Sequence, residues 1–283
     1  MNAIEIRNLR KEYRDFQLGS LDLSLPSGSI LGLVGENGAG KSTTIRLIMN
    51  AISRDSGKIT VLGADNQSKA FSEVKNEIGI VLDEAYFPEV MSARNVGKVM
   101  EETYRNWNME QFAGYLKRFS LPEEKPFKEY SRGMKMKLAI AVALSHDAKL
   151  LILDEATSGL DPMARDEILD LFNEFTREEN RSILLSSHIV SDLEKICDYI
   201  AFLHKGKLVF CEEKDRLLEE YVLLRLSKEE LEHLPKEAVV SRKYGTYGAE
   251  ALVLRSMLPA GMTPEHTSLE DIILFFAKGG ESK

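Results

Sequence analysis

The sequence predicts an α/β fold built round a mainly parallel sheet, and three observations carry that prediction. Short, mostly apolar runs at residues 30–34, 150–153 and 182–185 have the length and character of strands covered on both faces. Helical patterning follows the first of them at once, through Ile45, Leu47 and Ile48, and fills most of 92–145. Strands interleaved with helices in this way close a sheet by crossover connections, which favours parallel pairing.

The elements follow in order. Ile4 and Ile6, then Leu21, Leu23 and Leu25, alternate as half-buried strands do and predict an N-terminal antiparallel β subdomain, closed by the Pro26-Ser27-Gly28 turn. The helical stretch 92–145 has polar breaks near Leu121-Pro122 and Glu129-Tyr130 and predicts an inserted α-helical subdomain. Residues 200–203 and 207–210, split by Lys205-Gly206, predict a hairpin. Composition shifts near Glu212. Beyond it, 221–226 and 249–255 read as strands and 269–277 as a closing amphipathic helix, so 213–283 is expected to be a small C-terminal α+β appendix without a chemical motif of its own.

Composition narrows the function classes. The 283 residues carry 37 Lys and Arg against 45 Asp and Glu, a net charge of −8. An acidic balance speaks against nucleic acid as a partner, since such binding rests on neutralising phosphates with cations. Two cysteines, Cys197 and Cys211, outside any Cys-x-x-Cys pair, exclude a disulfide framework and predict free thiols in a reducing compartment. No apolar run approaches the ~20 residues that span a bilayer. The opening Met-Asn-Ala-Ile-Glu-Ile-Arg lacks the pattern of a signal peptide, so a cytoplasmic protein is expected.

The chemistry is concentrated in two places. Gly35, Glu36, Asn37, Gly38, Ala39, Gly40, Lys41 and Ser42, followed by Thr43, match G-x-x-x-x-G-K-[ST] between a buried strand and a helix. Glycines there let the backbone curl round an anion with its amides inward, and the helix adds the positive end of its dipole. Lys41 is expected to reach the β- and γ-phosphates and Ser42 to ligate Mg²⁺. The run Leu150-Leu151-Ile152-Leu153 ends in Asp154-Glu155, an acidic pair at the carboxyl end of a buried strand, where ligands of such sheets lie. Asp154 is expected to hold the Mg²⁺ shell and Glu155 to orient or deprotonate an attacking water. Together these predict a P-loop NTPase core that hydrolyses a nucleoside triphosphate.

Further motifs suggest what that hydrolysis drives. Tyr130-Ser131-Arg132-Gly133-Met134 precedes Asp154, Ser158-Gly159-Leu160-Asp161 follows Glu155, and Ser186-Ser187-His188 ends the next buried strand. In set and order these resemble the nucleotide-binding subunit of ATP-binding cassette (ABC) transporters, over roughly residues 2–212. The resemblance implies an ABC ATP-binding domain over 1–212 that uses ATP and Mg²⁺ in a dimer. It places Ser131 and Gly133 in the signature that contacts the γ-phosphate bound to the other protomer, and Asp161 in the loop that crosses the interface. It makes His188 the switch histidine and Tyr13 the ring that stacks on adenine, with Phe16 as the weaker candidate.

Two motifs depart from the family pattern. Tyr130, Arg132 and Met134 replace three of the five residues of Leu-Ser-Gly-Gly-Gln, a form that resembles bacterial exporters of the multidrug and antibiotic-efflux type. Asp83, in Ile78-Gly79-Ile80-Val81-Leu82-Asp83-Glu84, stands where a Gln is common. Its carboxylate either joins the metal site or points to solvent as a loop residue. Tyr86-Phe87-Pro88 just beyond either borders the groove that receives a short helix of the membrane subunit or packs under the helical segment.

The resemblance implies an ATPase subunit that powers export through an integral membrane permease on a separate chain. It would work as a homodimer, or as a heterodimer with a paralogue, at the inner face of the cell membrane. The alternative is a soluble ABC ATPase acting on DNA or the ribosome. Lys41 and Asp154 are 113 positions apart (154 − 41), with a compact helical segment between them and no long coiled coil, and there is one phosphate loop rather than two. Both observations favour transport.

Overall fold

Alternating burial along the first two strands sets the first layer. The computed structural model describes residues 1–85, 87–246, 248–259 and 262–279. β1 (Asn2–Glu12) pairs antiparallel with β2 (Gln17–Pro26), Ile6 opposite Leu23 and Leu9 opposite Leu21. The chain then forms β3 (Ile30–Val34) and α1 (Lys41–Ile48). It returns to β1 as β4 (Ser56–Val61) with a two-residue β5 (Ala64–Asp65), for an order β2-β1-β4-β5. Their buried side chains share one core with Leu31, Leu33, Ile45 and Ile48.

A short α2 (Phe71–Val74) leads to β6 (Ile78–Val81) and then to the helical segment. There α3 (Ala93–Thr103), α4 (Met109–Arg118) and α5 (Arg132–Leu144) each begin at a capping side chain: Ser92, Asn108 and Ser131 accept from the amides of Asn95, Gln111 and Met134. Such caps satisfy amides that have no partner inside the helix. The second half of α5 is buried on every side, which is why its sequence loses amphipathic contrast.

β7 (Leu150–Asp154), α6 (Pro162–Phe175), β8 (Ser182–Ser187), α7 (Val190–Ile196), β9 (Tyr199–His204) and β10 (Lys207–Glu213) complete the main sheet. Its order is β10-β9-β3-β8-β7-β6, parallel throughout except for the β9–β10 hairpin at one edge. Residues of opposite parity face opposite layers. Leu150 and Ile152 point to the first sheet and α1, while Leu151 and Leu153 point to the core that contains Ile140 of α5, Ile168 of α6 and Leu193 of α7.

The tail is α8 (Lys214–Glu220), β11 (Tyr221–Leu226), α9 (Lys228–Glu232), β12 (Val239–Tyr244), β13 (Ala249–Leu254) and α10 (Leu269–Gly279). Its antiparallel sheet runs β11-β13-β12. One face (Val222, Leu224, Ala251, Val253) closes a small core with Leu231 and Leu234. From the other face, Leu223 and Leu252 join Ile272 and Ile273 of α10 in the main core. Phe276 of α10 meets Tyr221 and Phe210 edge-on, at 5.4 and 5.2 Å. The C-terminal sheet is thus tied to the main core through α10. No helix among the described residues is long and apolar enough to cross a membrane.

Candidate functional site

The phosphate loop forms where β3 runs out between β8 and β9, with α1 starting at Lys41. Gly40 caps α1 at φ 112°, a conformation that side chains resist. A Cβ at Gly35 would lie 2.3 Å from the Leu203 carbonyl oxygen, so only glycine lets the loop approach β9 this closely. Lys41 is 6% exposed. Its Nζ donates to the Gly35 carbonyl at 2.7 Å and lies 3.5 Å from Glu155 Oε1.

Strand order brings the acidic pair to the same spot. β7 and β3 flank β8, so Asp154 and Glu155 emerge beside Ser186. Asp154 is buried and accepts a hydrogen bond from the Ser186 hydroxyl. Glu155 adopts φ 52°, outside the ordinary range for a side-chain-bearing residue. The Ser186 carbonyl, 3.1 Å from its amide, holds it there. Strain of this sort persists where the surroundings over-determine it, commonly at functional sites. Glu155 Oε2 is 2.6 Å from His188 Nδ1. Lys41, Glu155 and His188 therefore form one continuous chain.

A cavity of about 370 Å³ opens in front of them, lined by Phe16, Glu36, Asn37, Gly38, Gly40, Lys41, Ser42, Thr43, Asp83 and Glu155. Asp83, whose Oδ1 accepts from the Glu84 amide at 2.9 Å, lies on this wall and also on a neighbouring groove of about 430 Å³ with Ala85, Arg132, Lys135 and Met136. Phe16 lines the cavity and Tyr13 does not. Tyr13 is 46% exposed, its ring 6.4 Å from Phe16 and capped by Lys11 Nζ at 5.5 Å. Phe87 packs edge-on against Phe127 at 5.5 Å, and Tyr86 lies outside the described residues.

The remaining motif residues gather elsewhere. Ser131 caps α5 and Asp161 caps α6, its carboxyl held below the usual range by the Ala164 amide it accepts from. Gly133 faces Leu160, and Arg132 lies against Gly159, so the two motifs are neighbours. Among the described residues, Ser131, Gly133 and Asp161 do not line the cavity that holds Lys41. Ser131 and Asp161 are exposed.

Sequence reasoning quoted Ser186 before His188 but gave it no role; its hydroxyl donates to Asp154, and its oxygen accepts from the Glu155 amide at 3.3 Å. The available signal was a hydroxyl near the end of a buried strand, two residues before His188.

The phosphate loop, the acidic pair and the flanking motifs define a P-loop ATPase of the ATP-binding cassette class. The ABC transporter family profile matches residues 18–158. The chain is 33% identical over 215 residues to a lantibiotic transport ATP-binding protein of Streptococcus pyogenes, covering 75% of this chain and 91% of that one. It is 36% identical over 191 residues to a bacitracin transport ATP-binding protein of Bacillus licheniformis, covering 67% and 62%. An ATP-binding subunit of an ABC transporter superposes with TM-score 0.69 at 26% identity, over 76% of this chain and 91% of that one. A dimeric post-hydrolysis cassette bound to ADP and Pi shares the fold, with TM-score 0.67 at 20% identity over 74% and 98%. The chain belongs to the ABC transporter family as an ATP-binding subunit, and it is an ATPase.

Proposed function

We propose that this subunit powers export of an antimicrobial peptide or similar compound through a separate membrane-spanning permease, by closing head to tail on a second cassette with ATP between them. The observation that carries this is the separation of the motifs. The cavity holds Lys41, Ser42, Glu155 and, beside Glu155, His188, whereas Ser131, exposed, and Gly133, half-buried, sit at a helix start away from it. A helix start bearing a serine and a glycine suits an incoming phosphate, and a second protomer would bring it to this cavity. The relatives' names, lantibiotic and bacitracin transport, support the cargo class.

Within each site, residues 35–43 cradle the phosphates and Phe16, with Tyr13 beyond it, supports the adenine. Glu155 takes the proton of the attacking water, and His188 orients Glu155. The donor set suits Mg²⁺, a hard cation that takes one or two carboxylates and completes its shell with water and phosphate oxygens. Asp154 and Ser42 would hold it, with Asp83 on the same wall. Bound there, the ion would offset charge on the phosphates.

The permease would meet the groove lined by Asp83, Ala85, Arg132, Lys135 and Met136 and hold the subunit at the cytoplasmic membrane face. Residues 1–212 act in this reading as the ATPase domain and 213–283 as its appendix. No observation favours a soluble ABC ATPase working on DNA or the ribosome. Purified protein should hydrolyse Mg-ATP with a specific activity that rises with protein concentration. Activity independent of concentration would refute the composite site.

A further inference from the structure

Buried polar atoms are nearly always paired, and one pair of complementary atoms here is not. Asp192 is 4% exposed, and its Oδ2 has no hydrogen-bond partner among the described residues. The Nε of Arg165 is likewise buried and without a partner, and it lies 4.0 Å from that oxygen. Each group lacks what the other supplies, and the gap exceeds a hydrogen bond by about 1 Å.

The position of the pair gives the gap its meaning. Arg165 sits in the first turn of α6, the helix capped by Asp161. Its amide donates to the Asp161 carbonyl at 2.9 Å and its Nη2 to the Leu160 carbonyl at 3.4 Å. Asp192 sits in the first turn of α7, just after His188. Its amide donates to the Ile189 carbonyl, and the Ile189 amide donates to Ser187 Oγ. The Arg165 side chain is therefore fastened to the 158–161 loop, and the backbone of Asp192 to the turn that presents His188. Farther along the same helices, Lys195 bridges to Asp166 and Asp170 at the exposed surface, so α6 and α7 are already tied there.

We propose that Arg165 and Asp192 are a positioning pair that transmits displacement of the 158–161 loop to His188. When a second protomer presses on Asp161, Arg165 closes onto the unpaired Asp192 oxygen and fixes the start of α7. His188, already 2.6 Å from Glu155 while the pair stands 4.0 Å apart, is thereby fixed in that place when the dimer closes. The inference rests on the head-to-tail dimer proposed above.

The test compares the full-length wild type with Arg165→Gln, Arg165→Lys, Asp192→Asn and, as a control on the exposed tie, Lys195→Ala. Fluorescent ATP binding at low protein concentration and turnover at high concentration are measured for each. Arg165→Gln and Asp192→Asn should leave ATP binding unchanged and lower turnover about tenfold, while Arg165→Lys recovers part of it. Lys195→Ala should match the wild type. The decisive readout is a cycle with His188→Ala. If Asp192 acts through His188, Asp192→Asn in that background costs nothing further, whereas a merely structural role would cost the same factor again. Wild-type turnover by Arg165→Gln or Asp192→Asn, or additive losses in the cycle, would overturn the proposal. If Asp192→Asn does not fold, the same cycle with Arg165→Gln decides. Wild-type activity that ignores protein concentration would instead locate the failure in the dimer.

Discussion

Replacing Glu155 by Gln keeps the shape of the site and removes one charge. That charge stands 3.5 Å from Lys41 Nζ and 2.6 Å from His188 Nδ1. At an effective dielectric of about 20, opposite charges 3.5 Å apart attract by about 5 kcal/mol. Most of this offsets the desolvation of two largely buried groups. Glu155 therefore competes with the γ-phosphate for Lys41. Neutralising it should tighten ATP binding by about 1–2 kcal/mol, a factor of about 5–30. Losing the general base should at the same time cut turnover by about 10²–10⁴. Titration with a fluorescent ATP analogue, phosphate release and sizing chromatography read the three effects: tighter binding, slow hydrolysis and accumulated dimer. Hydrolysis at the native rate would remove Glu155 from the chemistry. Weaker binding would show that Lys41 is not contested in the resting site.

Three further outcomes are expected. Phe16→Ala should weaken ATP binding more than Tyr13→Ala, by about tenfold against a few-fold, since Phe16 lines the cavity and ring stacking on a base contributes about 1–3 kcal/mol; the reverse order would return the adenine to Tyr13. Asp83→Gln should let nucleotide bind at lower Mg²⁺, because it removes a carboxylate from the cavity wall that Glu155 also lines, and like charges there repel until the cation is present; superimposable Mg²⁺ titrations would exclude Asp83 from the metal site. His146 is buried, donates Nδ1 to the Asn76 carbonyl at 3.2 Å, stacks 4.0 Å from Tyr104 and leaves Nε2 unpaired among the described residues, and burial lowers its pKa from the ordinary 6.5. The unfolded chain takes up that proton first. Stability should therefore be full above about pH 6.5 and fall toward the lowered folded pKa by up to about 1.4 kcal/mol per unit. Melting curves of His146→Phe should be flatter across this window, and equal slopes would refute the assignment.

The sequence by itself determined the elements whose geometry is local or whose burial is complete. Gly35 to Ser42 encode the loop in the backbone freedom of their glycines, and Ile30 to Val34 and Leu150 to Asp154 are apolar because both faces are covered. The antiparallel start was legible because Ile4, Ile6, Leu21, Leu23 and Leu25 alternate against a single core. β4 and β12 were not, because each carries three consecutive exposed residues, and those residues show little periodic contrast. α8 and α9 are single short helices with one buried residue apiece, too little for a pattern.

The tertiary structure decided which distant residues meet. The order β3-β8-β7 sets Glu155 against Lys41, 114 positions earlier (155 − 41), and places Ser186 beneath the acidic pair. The bend between β1 and β2 turns Phe16 rather than Tyr13 toward the cavity. The packing of α6 on α7 leaves Arg165 and Asp192 facing each other across 4.0 Å. Motifs announce themselves when a few adjacent residues impose their own backbone. Contacts between elements depend on strand order and packing angle, which no local run of residues encodes.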